Sequence, residues 1–191
     1  NYNKRYRLNM YKYFNNYRSD SFRLPGYDYS QPGAYFITLC TNKNIEYFGK
    51  ILHDQLIINE FGKILEQCWY DLVNHYDNLQ LDEYVVMPNH FHCIMIIPSN
   101  EIYSLATVLR PVENNKPVLS DHEQNKTGHF PRHGITEFVR ALKSFSSRSI
   151  NTLRGTTQPS IWQNNYYEHI IRNEKSLYEI RKYIQWNPMD W

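Results

Sequence analysis

The sequence is poor in cysteine and holds no long uninterrupted apolar run, and each absence removes a class of protein. Cys40, Cys68 and Cys93 are odd in number, far apart and outside any CxxC pair, so neither a disulfide framework nor a zinc knuckle is expected. They read as buried thiols. The longest apolar stretch, residues 84–98, is broken by Pro88, Asn89, His90 and His92. It falls short of the roughly 20 apolar residues that span a bilayer. No basic start, apolar centre and small-residue cleavage site combine near the N-terminus, so a signal peptide is not expected and a cytosolic protein is. Internal repeats and long low-complexity segments are also missing. What remains is a chain of 191 residues, 41% hydrophobic and 21% charged. That is enough for one globular domain burying roughly 70% of its unfolded surface.

The net charge is only +2, but its distribution is uneven. Lys4, Arg5, Arg7, Lys12, Arg18 and Arg23 face Asp20 alone in the first 25 residues. Tyr2, Tyr6, Tyr11, Tyr13, Phe14, Tyr17 and Phe22 are interleaved with them. Cations alternating with stackable rings suit a single-stranded nucleic acid, although seventeen tyrosines in the chain put rings in any segment. Residues 1–23 are therefore read as a basic, Tyr-rich arm, and residues 24–191 as a single domain.

Turn signals at Leu24-Pro25-Gly26 and Ser30-Gln31-Pro32-Gly33 precede a strand over Ala34–Thr41. A hairpin is expected over Glu46–Asn59, turning near His53-Asp54. A helix follows over Glu60–His75, with Ile64, Leu65, Cys68, Trp69 and Leu72 at helical spacing. Leu79–Met87 and Phe91–Ile97 read as strands joined at Pro88-Asn89, an antiparallel pair expected at the sheet's centre. Residues 99–132 lose periodicity and read as a mobile insert with a short helical piece at Ile102–Leu109. From Gly134 a helix carries Ile135, Phe138, Val139, Leu142, Phe145 and Ile150 inward and Arg140, Lys143, Arg148 and Arg154 outward. Ile161-Trp162 and Tyr166–Ile171 look extended, Asn173 caps a last helix through Trp186, and Pro188 closes it. This order predicts an α+β fold with a ferredoxin-like or RRM-like antiparallel sheet and packed helices.

His90 and His92 flank Phe91 at the start of a strand, so the two-residue period puts both imidazoles on one face together with Ile94 and Ile96. Two readings stand on that spacing: half of a divalent-metal site, or two polar residues at a hairpin mouth. On the last helix Leu177, Ile180 and Ile184 form the apolar stripe, and Tyr183 and Asn187 project together at i and i+4 on an adjacent face. If that helix covers the histidine face, the phenol and the amide join the imidazoles. If not, Tyr183 is one tyrosine among seventeen and Asn187 merely ends a helix.

Three separated runs carry a specific resemblance. Tyr84-Val85-Val86-Met87-Pro88-Asn89-His90-Phe91-His92 resembles the histidine–hydrophobe–histidine motif of the single-tyrosine HUH transposases. Ile161-Trp162-Gln163-Asn164-Asn165-Tyr166-Tyr167-Glu168-His169-Ile170-Ile171-Arg172, followed by Tyr183-Ile184-Gln185-Trp186-Asn187-Pro188, resembles their REP-associated branch. Arg23-Leu24-Pro25-Gly26-Tyr27-Asp28-Tyr29 with Tyr35-Phe36-Ile37-Thr38 is similar to that branch's opening. The resemblance covers about residues 22–190, excluding much of the insert.

The resemblance implies that His90 and His92 hold Mg²⁺ or Mn²⁺ and that Tyr183 is the nucleophile. Asn187 falls where many relatives place a metal-binding Gln and is one methylene shorter. Tyr166, Tyr167 and His169 are implied to serve structure or strand guidance. The implied activity is cleavage and rejoining of single-stranded DNA beside short hairpins through a 5′-phosphotyrosine, in a bacterial, nucleoid-associated protein. Arg5, Arg7, Arg18, Arg23, Arg140, Lys143 and Arg148 are implied DNA contacts. A solvated helix face explains any one of the last three equally well. Homodimer and monomer are both compatible with the resemblance. A non-catalytic hairpin-binding regulator of the same fold, or a phosphodiesterase using water in place of Tyr183, are the competing readings.

Overall fold

The computed structural model describes residues 26–53, 55–99 and 133–190. The basic arm with Arg5, Arg7, Arg18 and Arg23, and nearly all of the 99–132 insert with its expected helical piece, lie outside the described residues.

Strand β1 (Gly33–Cys40) leads to a short hairpin of β2 (Gly49–Leu52) and β3 (Gln55–Ile58). Helix α1 (Glu60–Asp71) follows, capped by Asn59, whose side chain accepts from the Gly62 amide. Instead of running on to His75, α1 tightens into a 3₁₀ turn over Leu72–Asn74. Strands β4 (Gln80–Val86) and β5 (His90–Ile97) are joined at Pro88-Asn89, where the Met87 amide donates to the His90 carbonyl. Helix α2 (Ile135–Arg154) ends at Gly155, whose φ of 67° is the left-handed conformation that glycine takes at least cost. Strand β6 (Tyr167–Ile171) and helix α3 (Glu174–Trp186), capped by Asn173, complete the domain; a 3₁₀ turn over Asn187–Asp190 contains Pro188.

The main sheet has the order β4-β5-β1-β6, with every neighbouring pair antiparallel. With the β2–β3 hairpin set aside, the chain order is βαββαβ followed by α3, and the architecture is the α+β ferredoxin-like one. One expectation is corrected. The β4–β5 hairpin is not central as a unit: β5 and β1 are central and β4 is an edge strand. The hairpin of β2 and β3 forms a sheet of its own, and Ile161-Trp162 contributes a single bridge, Thr41 to Trp162, rather than a strand.

The pleat divides the side chains of the main sheet between two helical layers. Tyr35, Ile37, Leu39, Phe91, Cys93, Met95 and Ile97 point toward α1 and α2 and meet Leu65, Trp69, Phe138, Val139 and Leu142. Phe36, Ile94 and Ile96 point the other way and meet Leu177, Ile180 and Ile184 of α3. Of the thiols, Cys93 is buried while Cys40 and Cys68 are partly buried, and all three are unbridged. No helix among the described residues is long and apolar enough to cross a membrane.

Candidate active site

His92 lies opposite Thr38 on β1 and Val85 on β4, on the face covered by α3. Its Nδ1 is 2.8 Å from Thr38 Oγ1, and its ring stacks on Phe36 at 5.3 Å between centroids. With Nδ1 occupied, Nε2 turns to the helix side, where Tyr183 Oη stands 3.4 Å away. The Tyr183 ring is set edge-on to Phe36 and to His92, at 6.0 and 5.3 Å. Phe36 thereby fixes the orientation of both functional rings from below.

His90 lies at the mouth of the same hairpin, its ring 4.5 Å from that of His92. Its Nδ1 is 2.8 Å from Asn89 Oδ1. An amide oxygen only accepts, so Nδ1 donates and Nε2 keeps its lone pair. The turn that orients His90 is itself held, since the Asn89 carbonyl accepts from the Thr41 amide at 2.9 Å and the Pro88 carbonyl from the Phe48 amide at 2.9 Å. Desolvation pushes His90 down to about 4, opposed by a hydrogen bond with the side chain of Asn187. His92 is pushed well below the usual imidazole range by its burial and then by the neighbouring His90. Both rings are accordingly neutral at pH 7, the state in which an imidazole ligates a metal.

His90, His92, Tyr183 and Asn187 thus come together, because α3 lies on the histidine face. Among the described residues no group of three or more His, Cys, Asp and Glu side chains converges. The donors gathered at this place are two imidazoles and one amide. Such a set can hold a divalent cation only with several positions left for water and phosphate oxygens, and it is the amide and those oxygens that suit a hard ion such as Mg²⁺ or Mn²⁺. It does not fit a closed structural zinc site, which takes four protein ligands.

Helix α3 is tied down on both sides of Tyr183. Arg181 pairs with Asp82 on β4, its Nε 2.8 Å from Oδ1 and its Nη2 on Oδ2, and only 19% and 11% of the two side chains remain exposed. One turn further, Gln185 Nε2 donates to Glu83 Oε1 at 3.1 Å. Thr38, Asn89, Asp82 and Arg181 were not anticipated from the sequence. The one local signal was the pair of adjacent acids within a strand, which breaks the two-residue alternation.

The basic residues of α2 are placed elsewhere. That helix packs on the sheet face opposite to the histidines. Arg140 is exposed and paired with Glu137 at 2.6 Å, Arg148 is exposed with its guanidinium 5.2 Å over Phe145, and Lys143 donates to the carbonyls of Gln163 and Asn164 at 2.6 and 3.0 Å. The structure does not bring these three to the tyrosine.

Comparison with known proteins bears on the family and the fold. The family model "Transposase IS200 like" matches residues 117–187, a span that includes Tyr183 and Asn187 and begins after the histidine strand. An uncharacterized protein of Haemophilus influenzae is 33% identical over 173 residues, covering 90% of this chain and 88% of its own length. A second protein of the same organism, named as a REP-associated tyrosine transposase, is 26% identical over 163 residues, covering 85% of this chain and 73% of its own. At family level the chain matches the REP-associated tyrosine transposases of the HUH superfamily. The fold of this transposase family member is likewise that of a solved REP-associated tyrosine transposase bound to a REP hairpin. The two match with a TM-score of 0.54 and 18% identity over 88% of this chain and 73% of the other.

Proposed function

We propose that this transposase family member is a metal-dependent single-stranded DNA endonuclease and strand transferase that cuts and rejoins DNA beside hairpins through a 5′-phosphotyrosine on Tyr183. The observation that carries the reading is the placement of Tyr183 Oη 3.4 Å from His92 Nε2, with His90 and Asn187 in the same cluster. A stability role alone would not require two imidazoles held neutral, a phenol and an amide at one end of an otherwise apolar layer.

His90 and His92, with Asn187 as third donor, are the residues that would hold Mg²⁺ or Mn²⁺, each imidazole through the nitrogen left over by its Nδ1 partner. Such an ion supplies charge neutralisation on a scissile phosphodiester. The chain's own part is orientation. Phe36 and the apolar stripe of α3 hold the Tyr183 ring beside His92, and attack in line with the leaving 3′ oxygen requires only that the phosphate be seated there. In the step the Tyr183 Oη–P bond forms and the P–O3′ bond breaks, the phenolic proton is lost and the 3′ oxygen leaves as a hydroxyl. Reversal by a 3′-hydroxyl rejoins DNA without a nucleotide cofactor, since the phosphotyrosine keeps the energy of the broken bond.

Hairpin DNA as substrate follows from the family, one member of which has been solved with a REP hairpin. Within this reading residues 1–23 are a DNA-contacting arm on the domain of residues 24–191, with Arg5, Arg7, Arg18 and Arg23 on the phosphate backbone. Arg140 and Arg148 reach solvent on the far face and would touch flanking DNA only; Lys143 already gives two of its three donors to carbonyls.

The test is incubation with labelled single-stranded DNA carrying imperfect palindromes, with Mg²⁺ or Mn²⁺, and denaturing gel analysis. A metal-dependent covalent adduct that disappears in Tyr183→Phe is expected. Cleavage surviving in Tyr183→Phe would replace the tyrosine by water as nucleophile, and tight hairpin binding with neither cleavage nor adduct would make the protein a regulator.

A further inference from the structure

The register of the β4–β5 pair contains an irregularity with a definite consequence for α3. Leu81 faces Met95 and Tyr84 faces Cys93, so three steps along β4 correspond to two along β5. One residue is extra, and both Asp82 and Glu83 fall beside Ile94, between partners that point to the opposite face. Ile94 belongs to the α3 side of the sheet. A regular strand would send two adjacent residues to opposite faces. A bulge leaves two residues against one partner and re-aims their side chains.

Both carboxylates meet α3. Asp82 takes the Arg181 guanidinium by two atoms, and Glu83 accepts from Gln185. Arg181 and Gln185 are four residues apart on the helix, and Tyr183 lies midway between them. The apolar stripe of Leu177, Ile180 and Ile184 already holds the helix to the sheet. Apolar contacts are non-directional: the stripe selects the face of α3 that meets the sheet, but fixes its rotation and its position along the axis only coarsely. A two-atom guanidinium–carboxylate contact with little exposed surface is directional, and sets both.

We propose that Asp82 and Glu83, delivered to one face by the β4 bulge, are positioning residues for the Tyr183 nucleophile. They act through Arg181 and Gln185 and hold the phenol in register with His92. The proposal rests on the reading of Tyr183 given above. It predicts that loosening the clamp slows attack without weakening the hold on DNA, because neither acid lies among the implied DNA contacts.

The experiment compares full-length wild type with Asp82→Ala, Arg181→Ala, Gln185→Ala and the exchanged double variant Asp82→Arg with Arg181→Asp. Three quantities are read: the single-turnover rate of adduct formation, the Kd for the uncut hairpin oligonucleotide without metal, and amide hydrogen exchange along α3 and α2. The expected result is at least a tenfold slower adduct rate for Asp82→Ala and Arg181→Ala, and two- to threefold for Gln185→Ala. The Kd should stay within about twofold, exchange should quicken in α3 and not in α2, and the exchanged pair should recover most of the rate. Protected α2 amides show that a slow variant is still folded; a variant unprotected throughout is judged by Gln185→Ala and the exchanged pair instead. Adduct rates equal to wild type in the single variants, or no recovery in the exchanged pair while its α2 stays protected, would overturn the proposal. If wild type forms no adduct, the Tyr183 reading fails by itself. The clamp is then decided by exchange alone, and unchanged α3 protection in Asp82→Ala refutes it.

Discussion

The two faces of the central sheet are made by the same strands and carry unequal loads. Among the described residues, twenty-two buried hydrophobic side chains lie toward α1 and α2, among them Trp69, Phe48, Phe91 and Phe138 with no exposed surface. Toward α3 lie seven, and beside them sit Tyr183, His92 and the charged clamp. The first layer is mainly apolar, its polar exceptions such as Ser146 hydrogen-bonded within it, because nothing there must meet a substrate. The second gives up part of its apolar area to groups that need both shelter and access, and makes up for the lost holding power with directional polar contacts. Stability and chemistry are therefore separable in this protein, face by face.

The largest expected effect on that separation is Trp69→Ala in the large layer. Truncating a fully buried aromatic costs about 3–5 kcal/mol, and the measurement is the shift of the urea midpoint at unchanged m-value. A loss below about 1 kcal/mol would mean that the large layer does not carry the fold. Next comes the clamp. Removing one partner of a fully buried pair costs roughly 3–5 kcal/mol, and the residual exposure of Arg181 and Asp82 lowers the expectation for Arg181→Ala to about 1–3 kcal/mol. Replacing both by apolar residues, Asp82→Leu with Arg181→Met, should recover most of that stability while the adduct rate stays low. Full recovery of the rate in the apolar pair would erase the distinction between holding the helix and aiming it.

The smallest effect, taken per unit of pH, is a slope of stability with pH. In the unfolded chain an imidazole takes up a proton near pH 6.5, whereas His90 in the folded chain does so only near about 4. Between those values the unfolded state binds more protons, so stability falls as pH drops from about 6.5 toward 4. The slope is at most about 1.4 kcal/mol per pH unit for one such group, and His92, shifted in the same direction, adds to it. Urea midpoints measured across this window with a chelator present should show the decline. The decline should become shallower in His90→Gln, leaving the part due to His92; an equal slope in that variant would remove His90 as a source.

Much of this was legible in the sequence for a local reason. The Pro88-Asn89 turn, the shared face of His90 and His92, the Asn173 cap and the inward stripe of α3 each depend on residues within a few positions of one another. The β4 bulge was not legible, since two adjacent acids inside the Leu79–Met87 strand break the alternation without showing which face each takes until Ile94 is seen opposite both. Thr38 has no signature, being an isolated hydroxyl in an apolar strand. Its role comes from β5 running antiparallel beside β1, which puts His92 across from it.

By itself the sequence determined the order of elements, the faces on which their apolar residues lie, and the three motifs of the family resemblance, because periods of 2 and 3.6 residues follow from backbone geometry alone. Only the tertiary structure decided that α3 covers the histidine face rather than the face already taken by α1 and α2. It also decided that Arg181 meets an acid 99 positions earlier in the chain. Which layer a helix joins depends on apolar area and ion pairs brought together by the whole chain's path, and no local pattern encodes that path.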